Sequence, residues 1–386
     1  MLFSTFPYTL LQQLKDIMKV SILTSNLQSK LSFVNHAVSP KNQLPILLNV
    51  LLETVEDGVR IKATDLEIGI EVIVPAKVEE AGATTVPAKI FSELLSSIAD
   101  DTITLETKKE TLEIVSRRTK SVLQTIDSAE FPKLYDKKGE LIAILKEKDL
   151  QRDLSSVVFS ASQDVARPAL SGVLVRRERE GFLLVATDGY RLSLKHYKTE
   201  SGYKDESTSF IVPARVLREL MSLKEEKPEI SLYISQESSQ ILFEQGKTSL
   251  MGRLIEAEFP NFEKRIPSDF SVSVAFDREE LLKAVKICSI FARDAANIIK
   301  LSFKKDHIMV SSQSSVVGEN AVRVESALTG EDNEIAFNSR YLLDVLGNVE
   351  EKQMVFEMTG PLNPGVFKLQ GDTSFIHLIM PIRVQA

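Results

Sequence analysis

The sequence predicts an α+β protein built from three copies of one module, each with two helices among mostly antiparallel strands. Two kinds of observation carry this. A ten-residue segment recurs as Val86-Pro-Ala-Lys-Ile-Phe-Ser-Glu-Leu-Leu, Val212-Pro-Ala-Arg-Val-Leu-Arg-Glu-Leu-Met and Phe337-Asn-Ser-Arg-Tyr-Leu-Leu-Asp-Val-Leu, at steps of 126 and 125 residues. Other marks keep similar spacing: Lys62-Ala-Thr-Asp-Leu returns as Val185-Ala-Thr-Asp-Gly, and Ala129-Glu-Phe-Pro returns as Ala257-Glu-Phe-Pro. A period this long means whole domains, since solenoid units run to roughly 50 residues. Within each copy, apolar spacing alternates between a helical and a two-residue period.

The elements follow in chain order. Residues 1–17 lack a positive start, a long apolar stretch and a small-residue cleavage site, so a secretory signal is not expected. They read as an extension, either a start-site addition or a loosely attached helix. Met18 opens a strand-like run, Lys19-Val-Ser-Ile-Leu. The first helix of each copy is marked by Leu27, Leu31, Val34 and Val38; by Leu150, Leu154, Val157, Val158 and Ala161; and by Leu281, Val285 and Cys288 behind Asp277, with Glu280 three residues on as a capping-box start. The second helix is the recurring segment. Phe91, Leu94, Leu95 and Ile98, and later Leu342, Val345, Leu346 and Val349, share one face. Pro87 and Pro213 sit near its first turn, where proline costs least. Strand patterns cover 59–63, 103–107, 112–116, 230–234, 241–244 and 307–310. Polar linkers at Asp136-Lys-Lys-Gly and Ile266-Pro-Ser-Asp divide the chain into an extension at 1–17 and domains at 18–138, 139–266 and 267–386.

Composition narrows the function. Lys and Arg number 47 against 54 Asp and Glu, a net charge of −7, so the chain does not coat nucleic acid by bulk charge. One cysteine and four histidines supply no internal disulfide and little for a zinc site, and no cofactor is expected. No run approaches the roughly 20 apolar residues of a membrane helix; a cytoplasmic protein is expected. Against this acidic background the fourth residue of the recurring segment is basic in every copy: Lys89, Arg215 and Arg340. A helix N-terminus favours acids by about 0.3–1 kcal/mol, so three cations there point to an external anion. Further cations follow in or after the first helices: Lys30, Lys41, Arg152, Arg167, Lys283, Lys286 and Arg293. Spaced Lys and Arg contacts neutralise phosphates without reading bases, which makes duplex DNA the expected ligand of this face. A solvated helix face is the competing reading for any one of these residues.

Asp65 and Asp188, in equivalent Ala-Thr-Asp contexts, resemble paired carboxylates of a hydrolase. A local turn made by side-chain-to-backbone bonds is the stronger reading. The third copy has Ser311-Ser-Gln-Ser there, without an acid. His36, His196, His307 and His377 are scattered with no Ser or Cys partner at recognisable spacing, and no nucleotide-binding glycine loop is present, so no catalytic residue is expected. A peptide-binding adaptor that never meets DNA is the third reading; it would not need Lys89, Arg215 and Arg340 to be basic.

From Met18 to Arg383 the chain resembles the bacterial DNA polymerase III beta-subunit family, the sliding clamps. The resemblance rests on Leu44-Pro-Ile-Leu, Thr64-Asp-Leu-Glu, Gly82-Ala-Thr-Thr-Val-Pro-Ala, Ala186-Thr-Asp-Gly-Tyr-Arg-Leu, Glu258-Phe-Pro and Met380-Pro-Ile-Arg, in this order and spacing. It implies a head-to-tail homodimer closed into a ring of six similar domains, with duplex DNA held topologically and non-specifically inside. The DNA-facing cations would include Lys41, Lys89, Arg167, Arg215 and Arg340. It also implies a pocket for short peptides of the replicative polymerase, the clamp loader, repair polymerases and mismatch-repair proteins. Matching positions are Leu170, Thr187, Gly189, Tyr190, Arg191, Leu192, Pro260, Leu378, Met380 and Ile382, with Tyr341 and Pro364 nearby. Leucine and methionine walls suit aliphatic or aromatic anchors. The ring contact would join Leu123 of one subunit to Ile290 and Phe291 of the other. Two features depart from the family: Arg265 stands where an apolar residue is frequent, which favours acidic peptides, and Ser162-Gln-Asp-Val-Ala-Arg-Pro lacks the aromatic pair that would stack single-stranded DNA.

Overall fold

In a computed structural model the structure describes residues 18–38, 44–135, 137–164, 166–199 and 208–383. One order of elements runs three times. The first repeat is β1 (Lys19–Leu23), α1 (Thr24–Val34), β2 (Asn49–Val55), β3 (Gly58–Thr64), β4 (Ile68–Glu80), β5 (Ala83–Pro87), α2 (Ala88–Ser97), β6 (Thr102–Lys108), β7 (Thr111–Val115) and β8 (Lys120–Gln124). The second is β9 (Glu140–Lys146), α3 (Glu147–Val158), β10 (Gly172–Glu178), β11 (Gly181–Thr187), β12 (Arg191–Lys198), β13 (Ser209–Pro213), α4 (Ala214–Ser222), β14 (Glu229–Ser235), β15 (Gln240–Gln245) and β16 (Thr248–Arg253). The third is β17 (Val272–Asp277), α5 (Arg278–Ala292), β18 (Ile298–Lys304), β19 (His307–Ser314), β20 (Gly318–Thr329), β21 (Asn333–Asn338), α6 (Ser339–Asn348), β22 (Gln353–Met358), β23 (Gly365–Leu369) and β24 (Asp372–Ile379). The triplicated α+β reading is thus realised element by element.

The chain folds as two compact units that divide the second repeat between them. The first contains Met1–Ile144 and Ser222–Arg253; the second contains Leu145–Met221 and Leu254–Ala386. The first unit carries the sheet β8-β7-β6-β1-β4-β16-β15-β14-β9, with β3 on β4, β2 on β3 and β5 on β2. The second carries β13-β10-β11-β12-β24-β23-β22-β17-β20-β19-β18-β21. Successive repeats therefore join by sheet pairing. The opening residues of the fourth strand of one repeat take the last strand of the next. Ile68–Val72 of β4 pair with Thr248–Gly252 of β16, and Arg191–Lys195 of β12 pair with Phe375–Ile379 of β24.

Alternation decides which side chains enter each core. In the second unit, Leu281, Val285 and Cys288 of α5 pack with Leu342, Val345 and Leu346 of α6, all at most 1% exposed. Phe303, Phe337, Phe356 and Phe367 fill the sheet side; the Phe303 and Phe356 rings stack at 4.9 Å. Full burial of each such ring stabilises by roughly 1.5–3 kcal/mol. Gly365 is required here, because a Cβ would lie 2.5 Å from the Phe337 and Phe356 rings.

Helix starts follow the expected chemistry where a cap exists. Asp277 accepts from the amides of Glu279 and Glu280, and Asn338 accepts from that of Arg340. Helix ends are shorter than the apolar spacing suggests. α1 stops at Val34 because Asn35–Ala37 tighten into a 3₁₀ turn, leaving Val38 extended. Ile98 and Val349 likewise lie just past their helices in extended backbone, and Ala161 lies past α3 yet remains buried.

Candidate functional site

The pocket residues expected from the second repeat gather around one turn. Thr187-Asp188-Gly189-Tyr190 links β11 to β12. The Asp188 carboxylate accepts from the amides of Tyr190 (2.9 Å) and Arg191 (3.0 Å). The Thr187 hydroxyl donates to the Arg191 carbonyl and accepts from the Gly189 amide. Gly189 sits at φ +94°, where a side chain is strained, so glycine suits the turn. One carboxylate oxygen meets the Arg191 side chain and the other is spent on local amides. The same bonds recur in the first repeat: Asp65 accepts from Glu67 and Ile68, and Thr64 donates to the Ile68 carbonyl. The two Thr-Asp pairs are turn makers, as side-chain-to-backbone chemistry predicts.

Arg191 is the hub of the site. Its Nε donates to Asp188 at 3.0 Å, Nη1 to Asp344 on α6, and Nη2 to the Phe159 carbonyl at 2.8 Å. The guanidinium lies 4.6 Å from the Tyr341 ring centre and 5.4 Å from that of Phe159. Charge-assisted bonds and ring faces together fix it in a half-dry setting. Burial pushes the Tyr341 phenol above its ordinary pKa. Asp344 and Phe159 were not expected from sequence: Arg191 and Asp344 are 153 positions apart, and only the tertiary fold brings them together.

On the other face of the same strands Leu192 stands opposite Leu378, 6% and 4% exposed. They belong to one apolar layer with Leu174, Val185, Ile211 and Phe262. Met380 follows the end of β24, its amide donates to the Tyr190 carbonyl at 2.8 Å, and its side chain is 44% exposed, with Tyr190 61% exposed beside it. The Ile382 amide donates to the Ala336 carbonyl. Leu170 is half-buried, and its carbonyl accepts from the Ser162 amide. Pro364 is half-buried next to β23, and Pro260 is exposed on the segment that crosses this layer. Arg265 is exposed at the end of that segment.

Lys89, Arg215 and Arg340 occupy the second residue of α2, α4 and α6, the same station in each repeat. Lys89 and Arg340 are exposed and Arg215 half-buried. Arg167 is held by Asp164 (2.9 Å) and the Asp188 carbonyl (3.2 Å). Lys41 lies outside the described residues. Of the other cations, Lys30 is bonded to Glu225, and Arg152 to Asp149 and Asp153, so both, like Arg167, carry a local counter-charge. Lys283, Lys286 and Arg293 are exposed on or just after α5.

Leu123 is half-buried on β8, which pairs with β7 alone among the described residues. Ile290 and Phe291 lie near the end of α5, the first 54% exposed and the second half-buried. Cys288 below them is buried, with both the Val310 carbonyl and the Asn320 side-chain oxygen within reach of its single S–H, and burial pushes its pKa up to about 11.

Comparison with known proteins covers almost the whole chain. Family models of the DNA polymerase III beta subunit match at residues 18–135 (N-terminal domain), 144–261 (central domain) and 263–383 (C-terminal domain). The beta sliding clamp of Synechococcus elongatus is 30% identical over 379 residues, covering 96% of this chain and 100% of that protein. A DNA polymerase sliding clamp from Bacillus subtilis has a TM-score of 0.89 at 26% identity, covering 95% of this chain and 100% of its own. A sliding clamp from Pseudomonas aeruginosa bound to griselimycin has a TM-score of 0.87 at 25% identity, with the same coverage.

Proposed function

Since the chain belongs to the DNA polymerase III beta-subunit family, we propose that it is a sliding clamp: two copies close head to tail into a ring that encircles duplex DNA and tethers a polymerase to it. The observation that carries this is a pair of complementary free edges. β4 and β12 each offer their first residues to the last strand of the next repeat. Among the described residues no further strand follows β24 to pair with the third repeat. Its β20 pairs with β19 along Gly318–Glu325 and with β17 only from Ser326 onward, so among the described residues Gly318–Val322 keep one side unpaired. The missing mate is β8 of a second copy. Glu319 occupies the station of Gly69 and Leu192, and Val122 that of Met251 and Leu378. The register of the two internal joints then sets Glu319 against Val122, Gly318 against Leu123 and Asn320 against Ser121. A head-to-tail contact that closes removes both edges at once.

Apolar exposure supports the same contact. Val122 on β8 is 50% exposed, and Ile287, Ile290, Val316 and Val317 around α5 and the β19–β20 turn are 44–81% exposed. Leu123, Ile290 and Phe291 are then interface residues. Lys89, Arg215, Arg340, Arg167 and Lys41 are proposed as phosphate contacts, weak enough to slide on an acidic body. The Leu192–Leu378–Met380 surface is proposed as the dock for short apolar-ended peptides of the polymerase, clamp loader and repair proteins, with Met380 adapting to different anchors. The chain itself is proposed to be non-catalytic and to act in the cytoplasm, with domains at 18–138, 139–266 and 267–386.

Retention on DNA tests the topology. After loading, the protein should stay on nicked circular DNA and leave when the circle is cut. Reversing charge at Lys89, Arg215 and Arg340 together should reduce loading while the dimer persists. Equal loss from uncut circles, or retention on open linear duplex, would refute the ring.

A further inference from the structure

The second unit holds another cleft, of about 510 Å³, between the edge strand β13 and the segment 255–263. It falls within the roughly 300–1,000 Å³ of ordinary ligand sites. Its floor is apolar: Leu174 (8% exposed), Phe210 (9%) and Ile211 (4%), with Ile255 at one side. The Ile255 amide donates to the Ile211 carbonyl and so ties the segment to the strand. The rim is acidic. Glu256, Glu258 and Glu263 line it, with Arg176 among them; its guanidinium bonds Glu263 at 2.8 Å and lies over the Phe262 ring.

We propose that this cleft is a second docking site, for a short peptide that pairs an apolar side chain with flanking Lys or Arg. The apolar floor takes the anchor, and the rim carboxylates take the cations. Arg176 already stands where such a cation would sit, bonded to one of those carboxylates, so the protein's own side chain shows the charge the rim accepts. The cleft is an open trough, which suits an extended ligand more than an enclosed small molecule. It shares Pro260 and the apolar layer of Leu174, Ile211 and Phe262 with the surface around Leu378, but it opens along the β13 edge, and its charge preference is opposite to that expected from Arg265. The proposal does not rest on the ring.

The probe is acetyl-Arg-Ile-Tyr-Arg-amide, with acetyl-Glu-Ile-Tyr-Glu-amide as its counterpart, followed by isoleucine methyl NMR on the full chain. The basic probe should shift the Ile211 and Ile255 methyls, and the acidic one should not. Glu256→Lys with Glu258→Lys should weaken it about tenfold, the scale of two exposed charge contacts. Arg176→Gln, which releases Glu263, should tighten it about threefold. These are surface changes that leave the core intact. An equal response to both probes, indifference to the double reversal, or loss of binding in a Leu378→Ala, Met380→Ala variant would overturn the assignment; the last result would place the probe in the other pocket.

Discussion

Truncating Ile290 to alanine puts a number on ring closure. The side chain is 54% exposed in the single chain. The change removes three carbons, worth about 2.4 kcal/mol if fully buried at ~0.8 kcal/mol per methylene. Roughly half of that surface is already covered within its own protomer, so about 1.2 kcal/mol belongs to the contact. A closed head-to-tail dimer makes the contact twice, and the dimer should lose about 2.4 kcal/mol, near a 60-fold rise in dissociation constant. Sedimentation velocity over a dilution series reads this directly, with far-UV circular dichroism to confirm that the protomer stays folded. An unchanged dimer constant in a folded variant would mean that Ile290 faces solvent in the assembly, and the edge-pairing argument would lose its apolar half.

Two further outcomes follow from specific residues. Directly opposed strand residues lie about 4.5–5.5 Å apart at Cα, within disulfide reach, so Val122→Cys with Glu319→Cys should cross-link two protomers on oxidation. Failure of a folded, dimeric variant to cross-link would refute the register. His377 is fully buried, its Nδ1 2.7 Å from the Ser193 hydroxyl, between the Phe159 and Phe367 rings. Burial, and then the Arg191 charge, hold its pKa well below the ordinary value of 6.5. The unfolded chain takes up this proton first as pH falls, so the stability from the neutral ring is complete above about pH 6.5 and declines below it, by up to about 1.4 kcal/mol per pH unit. His377→Gln should flatten that slope between about pH 6.5 and 5 in urea unfolding, and parallel slopes would show that His377 does not set it.

Much of this fold is legible in the chain because the repeat reports it three times. Strand patterns at 59–63, 103–107, 230–234, 241–244 and 307–310 all fall inside observed strands. Helix faces are right while helix ends are not, since the i, i+4 spacing continues for a residue or more after the backbone has turned, as at Val38 and Ile98. The candidate site was half legible. Motif order brought out Arg191, Leu192 and Leu378, but not Asp344 or Phe159, whose role depends on tertiary packing. Basic residues were visible, their partners were not: Lys30 and Glu225 meet across 195 positions. The exposure of Ile287, Val316 and Val317 was not legible, because composition does not say which apolar residues the fold leaves uncovered.

The repeat also acts as an internal control for the pocket. The first and second copies keep the same Thr-Asp turn bond for bond, so those bonds belong to the fold and not to binding. What differs is the residues around it. At the position of Gly189 the first repeat has Leu66, at φ 78° and 52% exposed, a conformation that is strained for a leucine. Opposite Met251, where the second repeat sets Leu192 against Leu378, the first has Gly69. The vacated volume is taken by its own chain: a Cβ on Gly69 would lie 2.7 Å from the Met251 methyl and 3.0 Å from Leu134. Met251 and Leu134 are only 4% and 6% exposed, whereas Met380 and Tyr190 of the second repeat stand open. One scaffold thus carries a filled version and an open version of the same joint, and the opening follows from which side chains occupy it.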